Sequence, residues 1–223
     1  MKEFLEIGMR INIGCGQTPT AGWRNFDNSM SLRLSGIPLV PGVLKRLGLL
    51  TDAQSKFIAF AKNSGVQYGD AVSGLNLGDG IAEVIYTSHM LEHLDRREAM
   101  RFLREAMRLL RPGGLIRIAV PDIHKLVSDY TASGDADAFV EATSMCSSRP
   151  IGFAGRLRSA IVGVRNHLWM YDGASLVKLL QSAGFSSVKV MPAGVTGIDS
   201  PGALDLHERS DESVYVEARK PLP

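Results

Sequence analysis

The stretch from Arg10 to Ser29, RINIGCGQTPTAGWRNFDNS, constrains the fold more than any other part of the chain. A short apolar run, Ile11 and Ile13, stops at Gly14-Cys15-Gly16, and a second run stops at Asp27-Asn28. Two parallel strands account for this pattern, with a glycine turn leaving the first and an acidic side chain closing the second. In open α/β sheets, ligands bind outside the carboxyl ends of the strands. Glycines there admit close backbone approach, and a carboxylate can hold ribose hydroxyls. A ribose-bearing ligand is expected here. A dinucleotide fingerprint would need a third glycine opening a helix beneath the pyrophosphate. Gly16 is instead followed by Gln17, Thr18 and Pro19.

The spacing sets a second constraint. Only the eight residues Cys15 to Gly22 separate Gly14 from Trp23. A parallel crossover normally takes about a dozen or more residues, usually with a helix. The first crossover helix is therefore expected to be absent or cut to one turn.

Farther along, strands are expected near Val66–Gly69, ending at Asp70, and near Val84–Thr87. From Arg96 to Leu110, apolar side chains recur at Met100, Leu103, Met107 and Leu110, the spacing of one helix face. Arg111-Pro112-Gly113-Gly114 stops that helix, and Leu115–Val120 reads as the next strand. Asp172–Ala183 reads as a helix with Leu176, Leu179 and Leu180 as its core stripe, ended by Gly184. Val188–Met191 and Val214–Ala218 are the last strands, and the loop-like Gly194–Glu208 between them makes the final strand antiparallel. Two insertions interrupt this order. Ser29–Gly65 holds apolar blocks broken by Pro38 and Pro41, with a helix starting at Thr51-Asp52. Ile123–Asn166 reads as irregular apart from a helix near Asp137–Thr143. The first counts five basic residues against one acid, and Arg149–Arg165 carries four arginines and no acid.

The totals exclude several classes. Apolar residues make up 45% of the 223 and charged residues 22%, ordinary proportions for a soluble globular chain. A net charge of +2 does not point to a dedicated nucleic-acid binder. Cys15 and Cys146 form no disulfide framework, no Cys/His/Asp/Glu set has metal-ligand spacing, and no metal is expected. No signal peptide fits before the first strand, and no apolar run approaches the roughly 18 residues of a membrane span. A cytoplasmic protein is expected, at most peripheral to a membrane.

Val84 to Asp122, VIYTSHMLEHLDRREAMRFLREAMRLLRPGGLIRIAVPD, resembles the class I S-adenosylmethionine-dependent methyltransferases. The match is to the type 11-like subgroup, with a Leu-Glu-His-Leu element after strand four and an Arg-Pro-Gly-Gly turn into strand five. Tyr171–Val188, with Ala183-Gly184-Phe185, is similar to that subgroup's closing helix and strand. The resemblance implies a Rossmann-like α/β sheet of seven strands, mostly parallel with an antiparallel last strand. It would form one domain over residues 1–223, with the insertions at about 29–65 and 123–166 as a lid over the acceptor.

The resemblance also implies a cofactor, S-adenosylmethionine, and places its contacts. Gly14, Cys15, Gly16 and Gln17 would pass under the methionine and ribose, with Cys15 a small packing residue. Asp27 would hold the ribose hydroxyls beside Asn28, Asp70 and Ala71 would face the adenine, and Ser88 and His89 would lie near the methionine end. The acidic residue that opens the family's glycine motif is here Asn12, and its third glycine is Thr18. Asn12 can still offer a carbonyl to an ammonium group, without the charge.

Methylation of a hydroxyl needs a base, and histidine titrates near neutrality. His167, before the closing helix, and His89, just past strand four, are the candidates. His93 reads as a structural residue tying helix to sheet. Bacterial relatives with this short first loop resemble proteins of surface-polysaccharide pathways. The expected acceptor is thus a small molecule or a glycan, anionic or lipid-linked, methylated on oxygen. The two basic insertions suit such a partner as a lid, or as a peripheral membrane contact. The alternative is an inactive cofactor-binding partner or sensor, with Asn12 as its symptom. A weaker third reading is an aminopropyl transferase on the same fold.

Overall fold

The computed structural model describes residues 8–37, 39–46, 48, 50–146 and 166–223. Strand β1 (Met9–Ile13) pairs in parallel with β2 (Arg24–Asp27), Ile11 opposite Arg24 and Ile13 opposite Phe26. The ten residues between them form turns only, as the spacing requires. A polar network replaces the missing helix. The Asn12 side-chain amide donates to Thr20 Oγ1 at 3.1 Å and to the Thr18 carbonyl at 3.4 Å. Thr20 N donates to Asn25 Oδ1 at 2.8 Å, and Asn25 Nδ2 returns to the carbonyls of Thr20 and Trp23. All three side chains are buried, so each bond forms away from competing water.

The sheet continues with β3 (Gln67–Tyr68), β4 (Ala82–Ser88), β5 (Leu110–Pro121), β6 (Ser186–Met191) and β7 (Ser213–Arg219). Its order is β3-β2-β1-β4-β5-β7-β6, with β7 antiparallel to both neighbours and the other pairs parallel. This is the Rossmann-like architecture expected from the sequence. The Arg111–Gly114 turn lies inside β5: pairing opens at Ala82 with Leu110, breaks, and resumes at Val84 with Leu115. A side chain at Gly114 would meet the carbonyls of Arg111, Ala82 and Glu83 within 3.1 Å, so only glycine fits.

Between β2 and β3 lie α1 (Met30–Ser35), α2 (Val40–Arg46) and α3 (Asp52–Ala61). Pro41 does not break α2, because it sits in the first turn, where a missing N–H leaves no bond unmade. Between β4 and β5, a short 3₁₀ turn at Leu91–His93 precedes α4 (Arg96–Leu109). Asp95 and Glu98 cap α4 reciprocally. After β5, α5 (Ile123–Ser133) and α6 (Ala136–Ala142) occupy the segment expected to be mostly irregular. Helix α5 was not anticipated, although Ile123, Leu126, Val127 and Tyr130 fall at helical spacing; none of them is buried, and the Asp122 side chain starts the helix and Gly134 ends it. Helix α7 (Gly173–Ser182) follows. Part of the second basic insertion, including Arg149, Arg156, Arg158 and Arg165, lies outside the described residues.

One face of the sheet, with Ile11, Ile85, Ile116 and Ile118, packs on α4 and α7. The buried stripe of α4 is Ala99, Phe102, Leu103, Ala106 and Leu109, one step from the expected methionine stripe. The alanines let the helix approach the sheet, and Met100 and Met107 fill the margin. The other face carries Val84, Tyr86 and Leu115, and the β6–β7 loop covers it with Ile198 and Leu204. A buried ion pair fastens that loop. Arg117 and Glu217 face each other across β5 and β7 at 2.7 Å. Glu217 also accepts from Thr196 Oγ1 and Gly197 N, and Arg117 donates to the Val195 carbonyl.

Two stability outcomes follow from these networks. Asn25→Ala should shift the urea midpoint down by about 1–3 kcal/mol of stability, since Thr20 and Trp23 lose their partner in a buried setting. Glu217→Gln should cost more, roughly 3–5 kcal/mol, because it leaves the Arg117 charge buried and unpaired. Replacing both by apolar residues should cost less than that single change.

Candidate functional site

The loop after β1 is built for close approach. Gly14 and Gly16 adopt φ of +74° and +50°, a region costly for other residues. A side chain on Gly14 would collide with Met90, while Gly16 faces open space. Gly14 N and Cys15 N both donate to the Phe26 carbonyl, tying the loop to the end of β2. Asp27 stands there with its carboxylate held by two backbone donors, Gly16 N on Oδ2 at 3.1 Å and Ser29 N on Oδ1 at 2.8 Å. A carboxylate has about four acceptor positions, so lone pairs remain for a diol.

A cleft opens beside this loop. Ile13, Gly14 and Asn28 line one side, and Asp70, Ala71 and Met90 are among the residues lining the other. Asp70 pins its own turn, accepting from Val72 N at 3.0 Å and Ser73 Oγ at 2.7 Å. Of the expected contacts, Gly14, Asn28, Asp70 and Ala71 line this cleft, while Cys15, Gly16 and Asp27 belong to the adjoining loop and strand end and are not among its lining residues. Gln17 is exposed, and Ser88 and His89 are not among the lining residues. Asn12 commits its amide hydrogens to the loop, so its demonstrated part is to hold the short crossover.

A second group of side chains gathers just past β4. His89 takes φ of +48° there, a position costing roughly 1–3 kcal/mol for a non-glycine residue. Arg209 Nη1 lies 3.0 Å from His89 Nδ1 and can only donate, so Nδ1 accepts; Nε2 then donates to Ser213 Oγ at 2.8 Å. Both ring nitrogens of His89 are engaged. Glu92 is 1% exposed, and among the described residues no hydrogen bond reaches either of its carboxyl oxygens. Imidazoles stand near instead, with His89 Nδ1 at 3.4 Å and His167 Nε2 at 3.9 Å from Oε1. His93 and His167 meet edge to face, ring centres 5.0 Å apart. Backbone bonds bring this distant segment in: Leu168 N and Trp169 N donate to the Glu92 carbonyl, and His167 N to that of Ser144. Burial holds the His167 imidazole below its ordinary value, against the upward pull of Glu92. Sequence spacing did not show this grouping; its one trace was the Leu-Glu-His-Leu element.

A family model described as a methyltransferase domain matches residues 11–118. Just under half of the chain is thus similar to a methyltransferase domain. Its fold agrees with solved structures of that kind at low identity. A Thermotoga maritima S-adenosylmethionine-dependent methyltransferase, described as a possible histamine N-methyltransferase, is 17% identical over 97% of this chain and 84% of its own, with a TM-score of 0.51. A Methanosarcina mazei S-adenosylmethionine-dependent methyltransferase is 15% identical over 97% and 93%, with a TM-score of 0.50. Comparison with curated proteins gave no sequence match.

The cleft lies within the matched stretch, and its residues can be compared with what the cofactor would need. The open space at Gly16, the diol-ready Asp27 and the Asp70–Ala71 edge are features a nucleoside with a charged tail requires. Domain match, fold and cleft agree on S-adenosylmethionine as the cofactor. Cys15 takes no nucleophilic part: burial, then the Asp27 charge, push its thiol up to about 12.

Thiol labelling at pH 8 should modify the exposed Cys146 and leave Cys15 protected until the chain unfolds. The same shift has a pH consequence. Above the ordinary thiol value near 9.0 the unfolded chain loses a proton that the folded chain keeps. Stability should therefore fall as pH rises beyond that point, and Cys15→Ala should flatten this alkaline limb in denaturant melts.

Proposed function

We propose that this protein is an S-adenosylmethionine-dependent methyltransferase acting on a hydroxyl oxygen of a small-molecule or saccharide acceptor. The observation that carries the reading is the adjacency of the two groups of residues. Met90 and Leu94 line the cofactor cleft, while Glu92 and His93, between them in sequence, join His167 in the second group. The cofactor supplies an electrophilic methyl group on sulfur. The chain's part is to bind it through Asp27 and the glycine loop, align the acceptor, exclude water and receive the hydroxyl proton.

His167 is the proposed proton acceptor, largely buried and beside Glu92. His89, its ring held between Arg209 and Ser213, acts as a positioning residue in this arrangement, although it remains the second candidate base. The inserted segments form the acceptor lid within a single cytoplasmic domain. A lipid-linked glycan suits the first insertion, where the exposed Leu39 and Val43 stand beside Lys45 and Arg46. Among the described residues no helix is long and apolar enough to cross a membrane. A non-catalytic cofactor sensor is the alternative, favoured by the commitment of Asn12 to the crossover loop.

Calorimetry with S-adenosylmethionine and S-adenosylhomocysteine should give micromolar binding, weakened by about 1–3 kcal/mol in Asp27→Ala as polar partners lose their acceptor. Failure of both ligands to bind would sink the enzyme reading. Methyl transfer to glycan or lipid-linked acceptors, lost in His167→Ala with cofactor binding kept, separates enzyme from sensor.

A further inference from the structure

We infer that Glu92, His93 and His167 form a binding site for one divalent transition-metal ion of the zinc type. One ligand atom from each of the three residues lies within 4.8 Å of those of the other two, a spacing that a single ion can draw together. Two features of the side chains point to a ligand rather than to packing. First, the Glu92 carboxyl is almost wholly buried, yet among the described residues neither oxygen finds a hydrogen-bond partner. Buried polar oxygens without partners are costly, and a metal ion would satisfy one or both. Second, His93 has its tautomer settled by its surroundings. Its Nδ1 lies 3.1 Å from the Asn166 carbonyl, which can only accept, so Nδ1 carries the proton and Nε2 presents a lone pair. Metal-bound histidines have this arrangement, the far ring nitrogen donating to a carbonyl or carboxylate that orients the ring.

The donor set selects the ion. Two imidazoles and a carboxylate suit zinc, cobalt, iron or nickel, whereas magnesium and calcium favour all-oxygen ligation. Three protein ligands leave a position open, as metal sites that act on substrate do. His89 is not a ligand in this arrangement, because Arg209 occupies its Nδ1 and Ser213 its Nε2. Asn166 supports His93, and the backbone of Glu92 holds Leu168 and Trp169, so the ligands come from elements already locked together. If the methyltransferase reading above holds, an acceptor hydroxyl on the open position would have its pKa lowered by the ion. His167 would then serve as a ligand, and the ion would replace it as the means of activating the hydroxyl.

The test uses the full chain freed of metal with a chelator and titrated with Zn2+, Co2+ and Mg2+ by calorimetry. Co2+ is followed in parallel by its visible absorption. One Zn2+ or Co2+ per chain is expected, with cobalt absorption showing nitrogen ligation and a higher melting temperature in excess Zn2+. Glu92→Gln keeps the side chain's shape and His167→Ala removes one imidazole. Each should weaken Zn2+ binding by more than the roughly 10–100-fold that loss of a supporting contact costs. His124→Ala, an exposed histidine outside the group, should change nothing. Absence of Zn2+ and Co2+ binding, a response to Mg2+ alone, or binding unaltered in both ligand variants would overturn the proposal. S-adenosylhomocysteine binding, measured on the same samples, separates the two readings. Its loss with Zn2+ binding intact counts against the methyltransferase, and the reverse counts against the metal site.

Discussion

The fold depends on a connection too short to hold a helix. With only ten residues between β1 and β2, the chain cannot cover its own sheet in the usual way, and two compensations follow. Inside the connection, Asn12, Thr20 and Asn25 close a buried hydrogen-bond network that takes the place of helical backbone bonds. Outside it, Trp23 sits edge-on to Tyr86, and the β6–β7 loop comes over the bare face. Arg10 donates to the carbonyls of Asp199 and Ser200 in that loop, and Arg117 with Glu217 grips it from below. A loop does the covering that a helix does on the opposite face.

This arrangement explains why Asn12 departs from the pattern of the family it resembles. An aspartate or glutamate there would bring a charge into a buried position and could not donate to Thr18 and Thr20 while ionised. Asparagine keeps the shape and supplies the donors. Asparagine at this position thus suits the short loop, and in the proposed site the anchoring of the cofactor would fall to Asp27 and the cleft.

The two halves of the site are organised by different physics. The half proposed to hold the cofactor is local: glycine dihedrals and one carboxylate, held within the segment from Gly14 to Ser29 by backbone donors. The second half is assembled across the chain. Glu92 and His93 ride on the turn after β4, and His167 arrives from a segment docked onto that turn by two backbone bonds to the Glu92 carbonyl. Among the described residues, burial leaves the Glu92 oxygens without hydrogen-bond partners, the feature on which the chemistry proposed for this half rests.

Local rules carried the sequence reading a long way. Strand ends at glycine and aspartate, the helices α4 and α7 and the missing first helix all follow from neighbours in sequence, and the sequence determined them. It misplaced the α4 stripe by one residue because methionines look more buried than the alanines that do the packing. It passed over α5, whose stripe of Ile123, Leu126, Val127 and Tyr130 stays unburied in the fold. The Glu92–His93–His167 grouping, the Arg117–Glu217 pair and the positive φ of His89 belonged to the tertiary structure alone. Each depends on residues far apart in the chain being brought to one place by strand order and loop docking, and no local periodicity encodes that distance.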